Sequence, residues 1–215
     1  MQTKTKKLVT TAVMIALGTA IAVICDLIPF LNPPFGGTIT ICSMLPLVLV
    51  SWMYGVKWGI QAGTVYAVLQ MLTGYSTVSG IFTPGEGGMW LIKAIVIVLI
   101  DYVLAYMAMS LGGIFRNKLK KTTSLVLGAL VALSVRYMLH IISGAIFYGS
   151  YAEWFFTDTI IADTALASWV MSTFSGWSLA LVYSIVYNGC YMIPEIIITM
   201  IGAAAVSKLP MVEKK

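Results

Sequence analysis

Arg136 and His140, the only histidine of the chain, stand one helical turn apart in RYMLHIISGAIFYGSYAEW, a run filled otherwise mainly with apolar, small and aromatic residues. Ionisable groups in such surroundings are costly unless they face a cavity or one another. Two acids lie in comparable settings, Asp101 in LIDYVLAYMA and Glu195 in YMIPEIII. A helix rise of about 1.5 Å per residue puts Arg136 and Asp101 about 18 Å, and Glu195 about 16 Å, above the inner ends of their segments. One guanidinium and two carboxylates at one level suit a structural cluster. They also leave an excess negative charge, to which a cationic ligand would be drawn.

Aromatic residues surround these charges. At helical spacing, Arg136, Tyr137, His140, Gly144, Phe147, Tyr148 and Tyr151 fall within an arc of about 120°. Tyr183, Ser184, Tyr187, Asn188, Tyr191 and Glu195 fall within about 140°. Rings to stack on, with a few donors and acceptors to fix orientation, describe a pocket wall, and Gly144 leaves room in it. Aromatic residues also collect at membrane interfaces without any ligand, which suits Trp154, Trp169, Trp177 and Tyr151. Tyr187, Asn188 and Tyr191 sit too deep for that explanation.

The elements that position these residues follow from composition. The 215 residues are 60% hydrophobic and only 10% charged, with a mean hydropathy of +0.94. A soluble domain carries about a quarter charged residues, so lipid must solvate much of this surface. In hydrocarbon every backbone polar group is paired internally, which leaves helices or a closed barrel. The apolar runs are too continuous for barrel strands. The expectation is an all-α integral membrane protein, a single six-transmembrane-helix bundle over 1–215 with spans near 8–30, 39–54, 58–74, 90–114, 123–149 and 177–206. The stretch 75–89 reads as a polar, glycine-rich loop, and 150–176 as an external loop with an interfacial helix. Lys4, Lys6, Lys7, Lys57, Arg116, Lys118, Lys120, Lys121, Lys208, Lys214 and Lys215 all fall on one side of such a bundle. The positive-inside rule makes that side, with both termini, cytoplasmic. The net charge of +5 then requires no nucleic-acid partner.

Several chemistries are excluded. No G-x-x-x-x-G-K-[ST] loop is present, so ATP hydrolysis is not expected of this chain. No H-E-x-x-H occurs, and one histidine argues against a metal site. Cys25, Cys42 and Cys190 are far apart in apolar segments and read as buried small hydrophobes. No cofactor and no catalytic residue is expected. Ala12, Ala16 and Ala20, with Gly18 nearby, repeat small residues every four positions. That pattern lets another helix approach closely, either within the bundle or in a partner subunit.

Four segments carry a resemblance: GGTITICSMLPL at 36–47, IDYVLAYMAMSLGG at 100–113, RYMLHIISGAIFYGSYA at 136–152 and YSIVYNGCYMIPE at 183–195. With them the chain resembles the thiamine-specific S components of energy-coupling factor (ECF) vitamin transporters. The RY-x-x-H-x-x-SG run followed by YS-x-x-YN is the specific part. The resemblance implies a multi-pass subunit of the cell membrane that binds thiamine from outside. Transport would require a transmembrane T component and two ATPase subunits, docked through Ala12, Ala16 and Ala20. It implies ligand-binding roles for Asp101, Tyr102, His140, Tyr148, Tyr183 and Asn188, and Tyr137 matches the family pattern. Arg136, Tyr187 and Glu195 join this set from the two faces described above. The pocket is expected between spans four, five and six, closed by the loop between spans one and two. Some members carry a Trp and a Glu where this chain has Gly37 and Ile41, and Glu195 is the expected substitute acid. Three rival readings fit the same residues: an S component for another vitamin or a thiamine precursor, a proton-coupled carrier using Asp101, Glu195 and His140 as a relay, and an intramembrane enzyme.

Overall fold

The computed structural model describes residues 4–34, 36–83 and 91–210, and every regular element among them is helical. Helix α1 spans Lys4–Asp26, α2 Leu45–Tyr54, α3 Val56–Thr73 and α4 Tyr75–Ile81. Helix α5 runs over Leu91–Gly113. Helix α6 spans Lys121–Phe147, α7 Ala152–Thr157, α8 Ala165–Thr173 and α9 Gly176–Val206. Of these, α1, α5, α6 and α9 are long and apolar enough to cross a membrane. Their lipid-facing surface is written in exposed apolar residues such as Val13, Leu17, Ile142, Ile146, Ile197 and Ile201.

Helix α2 departs from the expected span 39–54. Only Leu45–Tyr54 is helical, and every one of its ten residues is buried. At about 1.5 Å per residue it covers about 15 Å, half of a hydrocarbon core of about 30 Å. Cys42, with φ 62, holds a left-handed conformation that stops a helix from starting earlier, and Pro46 sits in the first turn, where its missing N–H is harmless. Leu47, Val48, Trp52 and Met53 of α2, with Met44 just before it, form the centre of the core with Tyr66, Met109, Leu125 and Leu133. The expected loop between spans one and two is tied back to the end of α1. Asn32 Nδ2 donates to Ile28 O at 3.0 Å and to Asp26 O at 2.8 Å, the latter a carbonyl that the end of α1 leaves open.

The stretch expected as a loop at 75–89 starts with α4, and its remainder from 84 lies outside the described residues. The long segment 150–176 holds two short helices rather than one. Phe155, Phe156, Ala167 and Val170 pack there against Leu179 and Tyr183 of α9 as a separate apolar cluster.

Two local features aim the site. Helix α5 widens into a π-helix over Leu99–Leu104, a distortion that is frequent at functional positions. On an uninterrupted α-helix Ile97 and Tyr106 would stand about 180° apart. Here Ile97, Asp101, Tyr102 and Tyr106 all line one cavity. The second feature is Gly144 on α6. A Cβ there would lie 2.3 Å from Ser184 Oγ of α9, so glycine is what lets α6 and α9 pack in close contact. The room expected at Gly144 is taken partly by the neighbouring helix.

Candidate ligand-binding cavity

The connector after α1 meets α3–α4, α5, α6 and α9 around a cavity of about 540 Å³, within the usual 300–1,000 Å³ of small-molecule sites. Arg136, His140, Gly144 and Tyr148 line it from α6 and the residue after it, at successive intervals of four. Tyr183, Tyr187, Asn188 and Tyr191 line it from α9, and Asp101 and Tyr102 from α5.

The charged residues sort into two pairs. Arg136 Nη1 lies 3.2 Å from Glu195 Oε2, and its guanidinium sits over the Tyr106 ring at 5.0 Å. Glu195 is 1% exposed. Its other oxygen accepts from Thr40 Oγ1, and from Ser43 Oγ at 3.4 Å. Asp101 belongs to a different pair: His140 Nδ1 lies 2.8 Å from its Oδ1, and Ser143 Oγ donates to its Oδ2 at 2.6 Å. An ionised carboxylate can only accept, so the proton of that contact sits on Nδ1. His140 Nε2 is then left buried without a partner among the described residues, and Arg136 Nε likewise. The single charged cluster expected at one level is therefore two separate pairs, because Asp101 reaches α6 one turn beyond Arg136.

The polar face of α9 is pre-arranged. Asn188 Nδ2 donates to Ser184 O at 2.9 Å, to Ser184 Oγ at 3.1 Å and to His140 O at 3.3 Å. Its Oδ1 accepts from Tyr191 OH. A ligand bonding to Asn188 must take over one of these partners. The tyrosines form a wall of tilted and edge-on rings: Tyr183–Tyr187 at 5.5 Å, Tyr187–Tyr191 at 6.3 Å, and His140–Tyr191 at 6.3 Å. The connector seats on this wall. A Cβ on Gly37, whose φ is 82, would come within 2.6 Å of Tyr191 Cδ1, and one on Gly36, with φ 109, within 2.6 Å of Tyr187 OH. Only glycine fits both the conformation and the space.

Two expected site residues stand elsewhere. Tyr137 does not line the cavity; its hydroxyl donates to Ile185 O at 2.7 Å. One residue step from Arg136 turns it by about 100° out of the lining stripe. Glu195 lies beneath the wall, behind Arg136, and is not itself a lining residue. Ala12, Ala16 and Ala20 are exposed, whereas Thr11, Ile15, Gly18 and Cys25 form the buried side of α1.

Comparison with known proteins separates the possible meanings of this cavity. Residues 12–154 match the family model described as thiamine transporter protein (Thia_YuaJ). The thiamine transporter ThiT of Bacillus subtilis (strain 168) is 30% identical over 199 residues, covering 87% of this chain and 84% of its own. The chain belongs to the thiamine transporter protein family. A solved structure of ThiT from Listeria monocytogenes shares the fold, with a TM-score of 0.63, 19% identity, and coverage of 97% of this chain and 96% of that one.

For this member of the thiamine transporter family, the cavity also has contributors that the sequence reading did not name. Asp26 lines it from the end of α1, Thr38, Thr40 and Ser43 from the α1–α2 connection, Gln70 and Thr73 from α3, Ser76 and Thr77 from α4, and Tyr106 from α5. Asp26 carried a usable signal, an acid inside the apolar run VICDLIPF. Tyr106 carried another, four residues after Tyr102. Gln70 and the α4 hydroxyls carried none, since only tertiary packing brings them to the cavity. The proton relay imagined among Asp101, Glu195 and His140 has no continuous hydrogen-bonded path among the described residues, because Glu195 bonds to Thr40, Ser43 and Arg136 instead.

Proposed function

We propose that this protein is the thiamine-binding S component of an ECF-type, ATP-driven vitamin importer of the plasma membrane. The observation that carries the reading is the Asp101 carboxylate, held by His140 and Ser143 in a tyrosine-walled cavity, in a chain of the thiamine transporter family. Thiamine joins a cationic thiazolium to a neutral aminopyrimidine. Asp101 supplies the counter-charge, worth more in a desolvated site than in water. Tyr102, Tyr148, Tyr183 and Tyr187 offer ring faces, and cation–π contact adds up to about 2 kcal/mol. His140 Nε2 accepts, and Asn188 bonds the ligand after exchanging a partner. Arg136 and Glu195 close the floor, and Tyr137 supports α9 from outside.

The same reading makes 1–215 a single membrane domain crossing six times. In it α2 and α3 supply the second and third crossings, with the connector completing the short α2. Both termini lie in the cytoplasm, as the lysine distribution favours. The protein binds and does not catalyse. The exposed Ala12, Ala16 and Ala20 face of α1 docks on a transmembrane T component that carries two ATPase subunits.

Mass spectrometry of small molecules released from freshly purified protein tests the reading. Intact thiamine is the expected release. Recovery of another vitamin, or of a pyrimidine precursor with no calorimetric response to thiamine, would overturn the substrate assignment.

A further inference from the structure

We propose that Asp26 is a specificity residue at the mouth of the cavity, biasing the site toward the unphosphorylated cation and against its phosphate esters. The inference rests on the thiamine reading above and concerns a residue that reading does not use. Asp26 ends α1, is exposed, and lines the cavity beside Leu27, Gly37 and Thr38. Thr38 Oγ1 approaches Asp26 Oδ1 at 3.0 Å and Asn32 Oδ1 at 2.7 Å. Asn32 in turn donates to Asp26 O at 2.8 Å. The connector thus holds the carboxylate through Thr38 and the backbone carbonyl of the same residue through Asn32. Among the described residues no cation lies within ion-pair distance of it. The C-terminal end of α1 carries a partial negative charge of its own and adds to the field there.

The rest of the wall offers an anion no unpaired positive charge. Arg136 is the only lysine or arginine among the described lining residues, and Glu195 already neutralises it. His140 turns its Nδ1 to Asp101. Helix α4, whose first turn lines the cavity, follows directly on the C-terminal end of α3, so the opposite dipole ends offset each other. A phosphate monoester brings a charge of about −1.5 to −2 at pH 7 and is normally met by arginine, lysine or a bidentate fork. Here it would enter past one free carboxylate and stop near a second.

The test is isothermal titration of the full-length protein in lipid nanodiscs with thiamine and with thiamine monophosphate, at low and at high salt. The wild type is expected to prefer thiamine by about tenfold or more at low salt, and by less as salt screens the mouth. Asp26→Asn retains an oxygen to accept from Thr38 and should narrow the preference by about threefold or more. Asp26→Glu, which keeps the charge, should hold it. An unchanged preference in Asp26→Asn, or an equal loss in Asp26→Glu, overturns the proposal while leaving the thiamine reading standing. Failure of the wild type to bind thiamine at all would remove both.

Discussion

Replacing Asp101 by Asn removes one negative charge and almost no volume. In the folded protein that carboxylate accepts from His140 Nδ1 at 2.8 Å and Ser143 Oγ at 2.6 Å. An asparagine can satisfy one of them and must turn its amide N–H₂ toward the other. If the N–H₂ faces His140, that ring loses the acceptor that fixes its tautomer; in either orientation the ligand loses its counter-charge. A thiazolium about 6 Å from the carboxylate, at an effective dielectric of about 20, interacts with it by about 2.8 kcal/mol. Loss of a charge-assisted bond gives a similar about 1.5–3 kcal/mol. The two figures describe one interaction and are not added. The expected weakening of thiamine binding is therefore about 10- to 150-fold. Calorimetry on purified wild type and Asp101→Asn reads it, with the thermal unfolding midpoint confirming the fold. The neutral hydroxymethylpyrimidine fragment of thiamine should lose less than half as much free energy, since it lacks the charge. A thiamine dissociation constant within about threefold of wild type, or an equal loss for the neutral fragment, would refute the counter-charge argument.

Three further outcomes follow from the packing. Glu195→Gln leaves the Arg136 guanidinium buried without its ion pair, and thermal unfolding should register a loss of about 3–5 kcal/mol. The Arg136→Met, Glu195→Leu double variant should recover most of it, and failure to recover would mean that Thr40 and Ser43, not the charge, dominate at Glu195. Gly144→Ala drives a Cβ to 2.3 Å from Ser184 Oγ and should cost about 1–3 kcal/mol by overpacking; adding Ser184→Ala should return part of this in a double-mutant cycle. Ala16→Trp, on the exposed face of α1, should leave thiamine binding intact and abolish uptake in cells that supply the partner subunits, and surviving uptake would place docking elsewhere.

How much of this was legible in the sequence depended on whether the signal was local. Continuous hydropathy located α5, α6 and α9 to within one or two residues, 90–114 against Leu91–Gly113 for α5. It misplaced the start of α2, because hydropathy does not see the left-handed Cys42 that holds residues 39–44 out of the helix. Periodicity on α6 and α9 found most of the lining side chains, since a four-residue stripe points one way. It erred at Tyr137, which falls inside the arc but stands about 100° from Arg136 at its own level and turns outward. On α5, Asp101 stood out as an acid in an apolar run, whereas Tyr102 was named by resemblance. Helical period alone would have set Tyr106 opposite Ile97, and the π-helix that brings them to one wall leaves no compositional trace. The α3–α4 wall was invisible for a plainer reason: no local pattern says that Gln70 and Ser76 meet a cavity otherwise built by helices far along the chain.

The pairing of charges also decides what the cavity can attract. A buried ion pair repays its desolvation only when geometry and further hydrogen bonds are good. Glu195 has both, with Arg136 on one oxygen and Thr40 and Ser43 on the other. That leaves Arg136 electrically matched, so a guanidinium that lines the cavity does not repel a cation. Asp101 is matched only when His140 is protonated. With neutral His140 the deep wall carries the uncompensated Asp101 carboxylate, in addition to Asp26 at the mouth, and an arriving cation supplies the charge that balances Asp101. Had Arg136 paired with Asp101 instead, Glu195 would hold the unmatched charge beneath the wall, out of a ligand's reach. The turn of helix that separates Arg136 from His140 is thus what assigns one acid to the structure and leaves the other for a ligand.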